Sequence, residues 1–342
     1  MNFSLPNFRF VGLFCLALLV AAAARAESPA NIAGLFEIDL ISATHDGFNK
    51  GKTVTDLQLR KAQLDFNVTL NSTLSGKMIM LYEEGDERQF KIDEAFLVRS
   101  LGDGQFSLKL GYMIIPFGTF VTNMVTDPLT LELAEAREDA LIATFKLGEF
   151  STSAYFFNGD KDQQSDIEAN TNSIDSVGIQ VRYEVVTDHY GFVLSGGYMS
   201  DMAEPDKSTI ATGYAGDQIP GAAIGVEATF AEFNFFAEHI TATEAFTATA
   251  LSFNGQAATP MATLMEFGYK KARMQTSIGY QSTHDALALN LPSSRNMLTL
   301  AYEMDPECLI ALEYMTQQDY PTSAGGSGEK STQLTLEWTA TF

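Results

Sequence analysis

The sequence predicts an all-β protein, a transmembrane antiparallel β-barrel of about sixteen strands whose third outer loop folds inward and carries a short helix. Apolar and polar residues alternate with period two almost from end to end. The connections between alternating segments are short after every second segment and mostly long after the others. No stretch of the mature chain approaches the ~18 unbroken apolar residues of a helical membrane span.

The chain opens with a leader. Arg9 supplies a positive region, Val11 to Ala23 an apolar one, and Ala24-Arg25-Ala26 a small-x-small cleavage site. Residues 1–26 therefore read as a secretory signal peptide and 27–342 as the barrel. Cleavage removes Arg9 and Arg25 and no acidic residue, leaving 19 basic against 43 acidic residues and a net charge of −24. That balance argues against nucleic acid or an anionic lipid surface as partner, since both call for basic patches. Cys308 alone survives cleavage, so no internal disulfide can form.

In chain order the alternating segments cover 35–44, 57–70, 75–84, 90–99, 105–115, 139–147, 150–158 and 176–185, then 190–199, 222–230, 233–241, 261–269, 273–282, 296–303, 308–316 and 332–342. Leu64, Phe66 and Val68 oppose Asp65, Asn67 and Thr69. Val177, Ile179, Val181 and Tyr183 oppose Gln180, Arg182 and Glu184. The last segment sets Leu334, Leu336, Trp338, Ala340 and Phe342 against Gln333, Thr335, Glu337 and Thr339. Short connections include Gly148-Glu149, Thr187-Asp188-His189, Ala231-Glu232, Lys270-Lys271-Ala272 and Asp305-Pro306-Glu307; "GDKDQQSDIEANTNSID" is a long one.

A soluble sandwich has no reason to sort its loops by length. A barrel in the outer membrane of a Gram-negative bacterium does, with short periplasmic turns and longer outer loops. Its partners are then the lipid bilayer and the barrel assembly machinery. Phe145, Phe150, Tyr183, Tyr190, Phe230 and Phe233 flank short turns, as in an interfacial aromatic girdle. The terminal Phe342 looks like the assembly signal of such barrels.

A sixteen-stranded barrel is too wide for side chains to fill and leaves an aqueous channel. Its inward faces would carry Glu37, Asp39, Asp65, Glu83, Glu227, Glu238, Glu266, Glu313 and Glu337 against Lys77, Lys91, Lys109, Lys146 and Arg182. By field alone this wall predicts mild cation preference and speaks against phosphate selectivity.

The connection between the fifth and sixth segments breaks the alternation. In "GYMIIPFGTFVTNMVTDPLTLELAEAREDA", Pro116 removes a ladder donor and Gly118 permits a bend. Asp127 as N-cap and Pro128 at the first helical position then predict a short helix. Leu129 and Leu133 would share one face, and Glu132, Glu135 and Asp139 would form an acidic stripe. Leu129, Leu131 and Leu133 also alternate as one more strand would. The constriction loop spans about 116–138, with Asn123, Asp127, Glu132, Glu135, Arg137 and Glu138 as its candidate rim and ligand residues.

"PFGTFVTNMVTDPLTLELAEARE" resembles the signature of the LbtU-type siderophore porins, outer-membrane receptors that work without TonB. In that family a Pro-Phe-Gly turn leads through an Asn-Met pair to an Asp-Pro-Leu-Thr-Leu-Glu stretch, an acidic residue and an arginine. Here these fall on Pro116, Phe117, Gly118, Asn123, Met124, Asp127 to Glu132, Glu135 and Arg137. Where that family has Gly-Glu-Thr-Arg, this chain has Ala134-Glu135-Ala136-Arg137. The strand end "PFG" is more distantly similar to phosphate-selective porins.

The resemblance implies downhill passage of a ferric siderophore, with iron inside the siderophore and no protein-bound cofactor or metal. The residues by themselves imply transport without naming the cargo, and a general or mildly cation-selective diffusion porin also fits them. Porin-like barrels are often homotrimers, though no feature of this sequence requires it. An enzyme is not expected. His45 and His284 fall in outer loops, His189 in a turn and His239 alone on a strand, none beside the partner that nucleophilic catalysis needs.

Overall fold

A computed structural model describes residues 30–45, 53–84, 90–159, 174–205, 208 and 218–342. The leader over 1–26 lies outside them, as does the acidic loop after Gly159 up to residue 173. The first half of the chain forms β1 (Ala30–His45), β2 (Thr53–Asn71), β3 (Leu74–Glu83), β4 (Lys91–Leu101), β5 (Phe106–Ile114), helix α1 (Leu129–Ala134), β6 (Arg137–Leu147), β7 (Phe150–Asn158) and β8 (Ile174–Val186). The second half forms β9 (Tyr190–Met199), β10 (Gly221–Phe230), β11 (Phe233–Ala242), β14 (Met261–Lys271), β15 (Met274–His284), β16 (Ser294–Asp305), β17 (Cys308–Gln318) and β18 (Lys330–Thr341). Between β11 and β14 a two-residue hairpin, β12 (Ser252–Phe253) with β13 (Gln256–Ala257), decorates an outer connection. It is too short to leave a periodic signal.

The sixteen long strands close into one antiparallel barrel, β18 pairing back onto β1 from Leu35↔Thr341 to His45↔Ser331. Closure pairs the strand edges that lipid could not satisfy. At the seam Gly34 and Phe342 exchange backbone hydrogen bonds of 2.9 and 3.1 Å, and the Phe342 ring stacks on Phe36 at 5.9 Å.

The outward register is apolar and open. Leu57 and Val186 are 69% and 72% exposed, and Leu110, Ile224, Ile278 and Trp338 behave alike. In water this surface would be an aggregation site; in a bilayer it is the solvated face. Aromatics pair beside the short turns, Phe150 with Tyr183 at 4.7 Å and Phe233 with Tyr269 at 5.0 Å.

Several strands run longer than expected, β1 starting at Ala30 and β2 at Thr53, and the following differences bear on the pore. β6 begins at Arg137, paired as Ile114↔Arg137 and Met113↔Glu138, so the loop spans 115–136 and both Arg137 and Glu138 belong to the wall. The charge run Arg137-Glu138-Asp139 hides this strand start, because Asp139 falls on the outward register, where an apolar residue is expected, while Glu138 is buried inward. His45 and His284 are the last residues of β1 and β15 rather than loop residues. The lumen is also not polar throughout. Met113, Phe117, Leu129, Leu133, Phe157 and Ile240 are buried in one apolar cluster, shared with Met199, Met202 and Phe246. The inward loop and the outer connections thus fill part of the outer half of the barrel.

Candidate functional site: a loop stapled into the lumen

After Ile115 the chain leaves the wall, crosses the lumen and is held there by three buried glutamates. Glu238 on β11 accepts Thr119 N at 2.6 Å, Thr119 Oγ1 at 3.0 Å and Phe120 N at 3.3 Å. Glu266 on β14 accepts Thr122 Oγ1 at 2.6 Å and Asn123 N at 2.8 Å. Glu313 on β17 accepts Val125 N at 2.7 Å, Thr126 N at 3.2 Å and Thr126 Oγ1 at 2.6 Å. An extended segment has no internal partners for its N–H groups, and ionised carboxylates are the strongest acceptors available for them. At two points the wall is hollowed to admit the loop. A Cβ on Gly197 would lie 2.2 Å from Phe117 O, and one on Gly279 would lie 2.9 Å from the Met124 methyl.

Two arginines continue the stapling. A register shift in the β1–β2 pairing gives β2 an extra residue there, so that Arg60 and Lys61 both reach the inner side. Arg60 donates to Val125 O at 2.7 Å and Glu337 at 2.9 Å, and lies 3.6 Å from Asp127 and 4.0 Å from Asp39. Arg295 on β16 donates to Asp127 O at 3.0 Å and pairs with Glu132 at 2.8 Å.

The helix forms where expected but starts differently. Pro128 is its N-cap residue and Asp127 does not cap it. The first helical N–H is satisfied from the wall, Leu129 N donating to Gln281 Oε1 at 2.8 Å, which frees the Asp127 carboxylate to face Arg60. Leu129 and Leu133 do share a face, fully buried against the apolar cluster.

The acidic stripe does not form, because the helix ends at Ala134. Glu132 is taken by Arg295. Glu135 bonds Arg137, which also lies 3.1 Å from Asp93 on β4. Burial raises the Glu135 carboxyl above its ordinary range, with Arg137 pulling the other way. Asn123 is spent on the wall, donating to Asn234 at 2.9 Å and accepting from Gln275 at 2.6 Å.

The remaining inward charges divide in two. Glu227 pairs with Arg182 at 3.2 Å, and Asp65 accepts from Gln63 at 2.8 Å. Glu37 stands opposite Lys61 across β1–β2. Lys77 lies 3.7 Å from Glu94, while Lys109 sits over the Phe96 ring. Of the acids expected to face open water, Asp39, Glu238, Glu266, Glu313 and Glu337 are buried beneath or beside the loop. Their hydrogen bonds hold protein groups. Arg60, Gln281 and Arg295 escape the sequence reading. The only trace of Arg60 is the adjacent cation in "LQLRKAQL", where two charges in a row break the alternation and mark the shift.

No protein-family model matches the chain. A UPF0422 protein of Legionella pneumophila (strain Paris) is 23% identical over 310 residues, covering 82% of this chain. The chain spans 58% of the length of that relative. Among solved structures, the outer membrane channel DcaP of Acinetobacter baumannii superposes with a TM-score of 0.62 at 14% identity, over 93% of this chain and 98% of that one. OprB of Pseudomonas putida gives 0.62 at 9% identity, over 96% of each chain. The fold is that of outer-membrane porins, and the apolar outer face sets this barrel in the outer membrane.

Proposed function

We propose that this protein is a porin whose loop-narrowed lumen passes a ferric siderophore down its concentration gradient, without TonB. The observation that carries the reading is the fixed loop. Wall side chains on β2, β11, β14, β15, β16 and β17 hold it from Thr119 to Glu132. A rim held at that many points keeps one shape and one charge pattern, which is what selection among solutes of similar size requires.

The siderophore assignment rests on the resemblance of Pro116 to Arg137, the same stretch that is stapled. Its two departures from the family pattern, Ala134 and Ala136, are buried in the apolar cluster, so neither substitution alters a group that a passing solute would touch. A solute entering from outside would meet the rim pairs Arg60–Asp127, Arg295–Glu132 and Arg137–Glu135 before the periplasmic half of the lumen. Passage through such a rim is diffusive, and no energised partner is needed for it.

A general diffusion porin is the second reading, favoured by the mutual pairing of the rim charges, which leaves little net field there. Single-channel conductance in a planar bilayer, with ferric siderophore from an iron-starved culture of the source organism, separates the two. Concentration-dependent block by the loaded siderophore and none by the iron-free compound is the expected result. Steady conductance without block would leave the general porin standing, and zero conductance would remove both.

A further inference from the structure

Toward the periplasmic turns the inner wall changes sign. Lys77 on β3, Lys109 on β5 and Lys146 on β6 occupy inward registers there. The inward neighbours Ser75, Phe96, Val98, Ser107 and Thr144 carry no charge. In a chain of net charge −22 this is an isolated basic patch. Lys109 Nζ stands 5.3 Å from the centroid of the Phe96 ring, and among the described residues no carboxylate lies within ion-pair distance of it. Lys77 leans away from the patch toward Glu94, 3.7 Å off. A cavity of about 290 Å³ opens between the two lysines, edged by Asn67, Thr69, Ser75 and Phe96.

Wetting a lumen takes only hydroxyls, such as Ser151 and Ser153 on β7. Lys77 and Lys109, two strands apart, repel one another; Glu94 offsets Lys77 alone, and the polar side chains that line the cavity between the lysines carry no negative charge. We propose that this cavity is an exit site that holds the carboxylates of an anionic organic solute once it has passed the loop. The inference rests on the porin reading and deepens it by giving the cargo a negative charge, where the count of lumen acids pointed to cations. β4 lies between β3 and β5, so the strands bearing Lys77 and Lys109 are about 10 Å apart at ~4.8 Å per strand. Two carboxylates of one molecule bridge that interval and a single phosphate does not.

The test is current block of the whole barrel in a planar bilayer at low salt, where charges are poorly screened, with citrate and then inorganic phosphate as probes. Citrate is expected to block in proportion to concentration, more strongly from the periplasmic side. Its apparent affinity should fall at least about tenfold in the Lys77→Gln/Lys109→Gln double variant, in which two ionic hydrogen bonds become neutral ones, and persist in Lys109→Arg. Lys109→Gln alone serves if the double variant does not assemble. A conducting channel that citrate never blocks would overturn the site and leave the porin reading intact. So would equal block by phosphate, or unchanged block in the glutamine variants. A wild-type barrel that does not conduct would overturn both.

Discussion

Glu313→Gln tests the stapled loop most directly. One carboxylate oxygen accepts Val125 N at 2.7 Å and Thr299 Oγ1 at 3.0 Å, the other Thr126 N at 3.2 Å and Thr126 Oγ1 at 2.6 Å. The side chain is 1% exposed, so water cannot replace a lost partner. Glutamine keeps one oxygen and turns an NH2 toward one of the two backbone N–H donors. Hydrogen bonds to a charged acceptor contribute about 1.5–3 kcal/mol against about 0.5–1.5 for neutral ones, and a stranded buried donor costs about 1–3 kcal/mol. The local cost is therefore about 3 kcal/mol. At about 1.4 kcal/mol per factor of ten, the loop should spend roughly a hundredfold more time off the wall near Val125. The strand ladder is untouched, so the barrel should still show its heat-dependent shift on a denaturing gel. Single-channel traces should then show frequent brief excursions to a second conductance level, absent in wild type and in Glu227→Gln, whose carboxylate pairs with Arg182 on β8. Traces of a folded Glu313→Gln channel as quiet as wild type would refute the staple.

Replacing Glu132 and Glu135 together by glutamine should shift the reversal potential in a KCl gradient toward anions, because it leaves Arg295 and Arg137 without their loop partners. An unchanged potential would place these pairs outside the current path. Because burial holds the Glu135 carboxyl above its usual range, acidification from neutral pH should protonate it before ordinary carboxylates and move selectivity in the same direction; Glu135→Gln should make that early shift smaller. Gly197→Ala puts a methyl 2.2 Å from Phe117 O, so the start of the loop must move inward and single-channel conductance should fall without loss of assembly; conductance equal to wild type would show that the loop start does not bound the pore.

The barrel was legible because its causes are local. A strand facing lipid on one side and the lumen on the other must alternate, and the asymmetry of turn and loop lengths follows from the membrane. The short helix was legible through the Leu129–Leu133 spacing, whereas the expected Asp127 cap did not form, its place taken by Gln281 from the wall. The rest of the site depends on contacts between residues far apart in sequence. That Gln281 would cap a helix beginning at Leu129, or that Arg60 would reach Val125, is fixed by barrel closure and by how deep the loop lies. Neither leaves a periodic trace. By alternation alone an inward acid faces water; that Glu238, Glu266 and Glu313 face a loop instead depends on where the loop lies.

Acidic lumens of this kind have a physical cause. A loop lying extended inside a lumen exposes a row of backbone donors, and every one must be matched if the loop is to exclude water and stay put. Strands supply inward positions at fixed intervals around the wall, and a carboxylate, which only accepts when ionised, is suited to a segment that mainly donates. The loop answers with hydroxyls at Thr119, Thr122 and Thr126, each bonded to the same glutamate that takes a neighbouring N–H. Acidic residues in such a lumen therefore report where the loop is attached before they report which ions pass. Thr122→Val and Thr126→Val should loosen the loop much as the glutamate variants do while leaving every charge in place. If they change the gating noise and not the ion selectivity, attachment and selectivity are separate tasks of one inner wall.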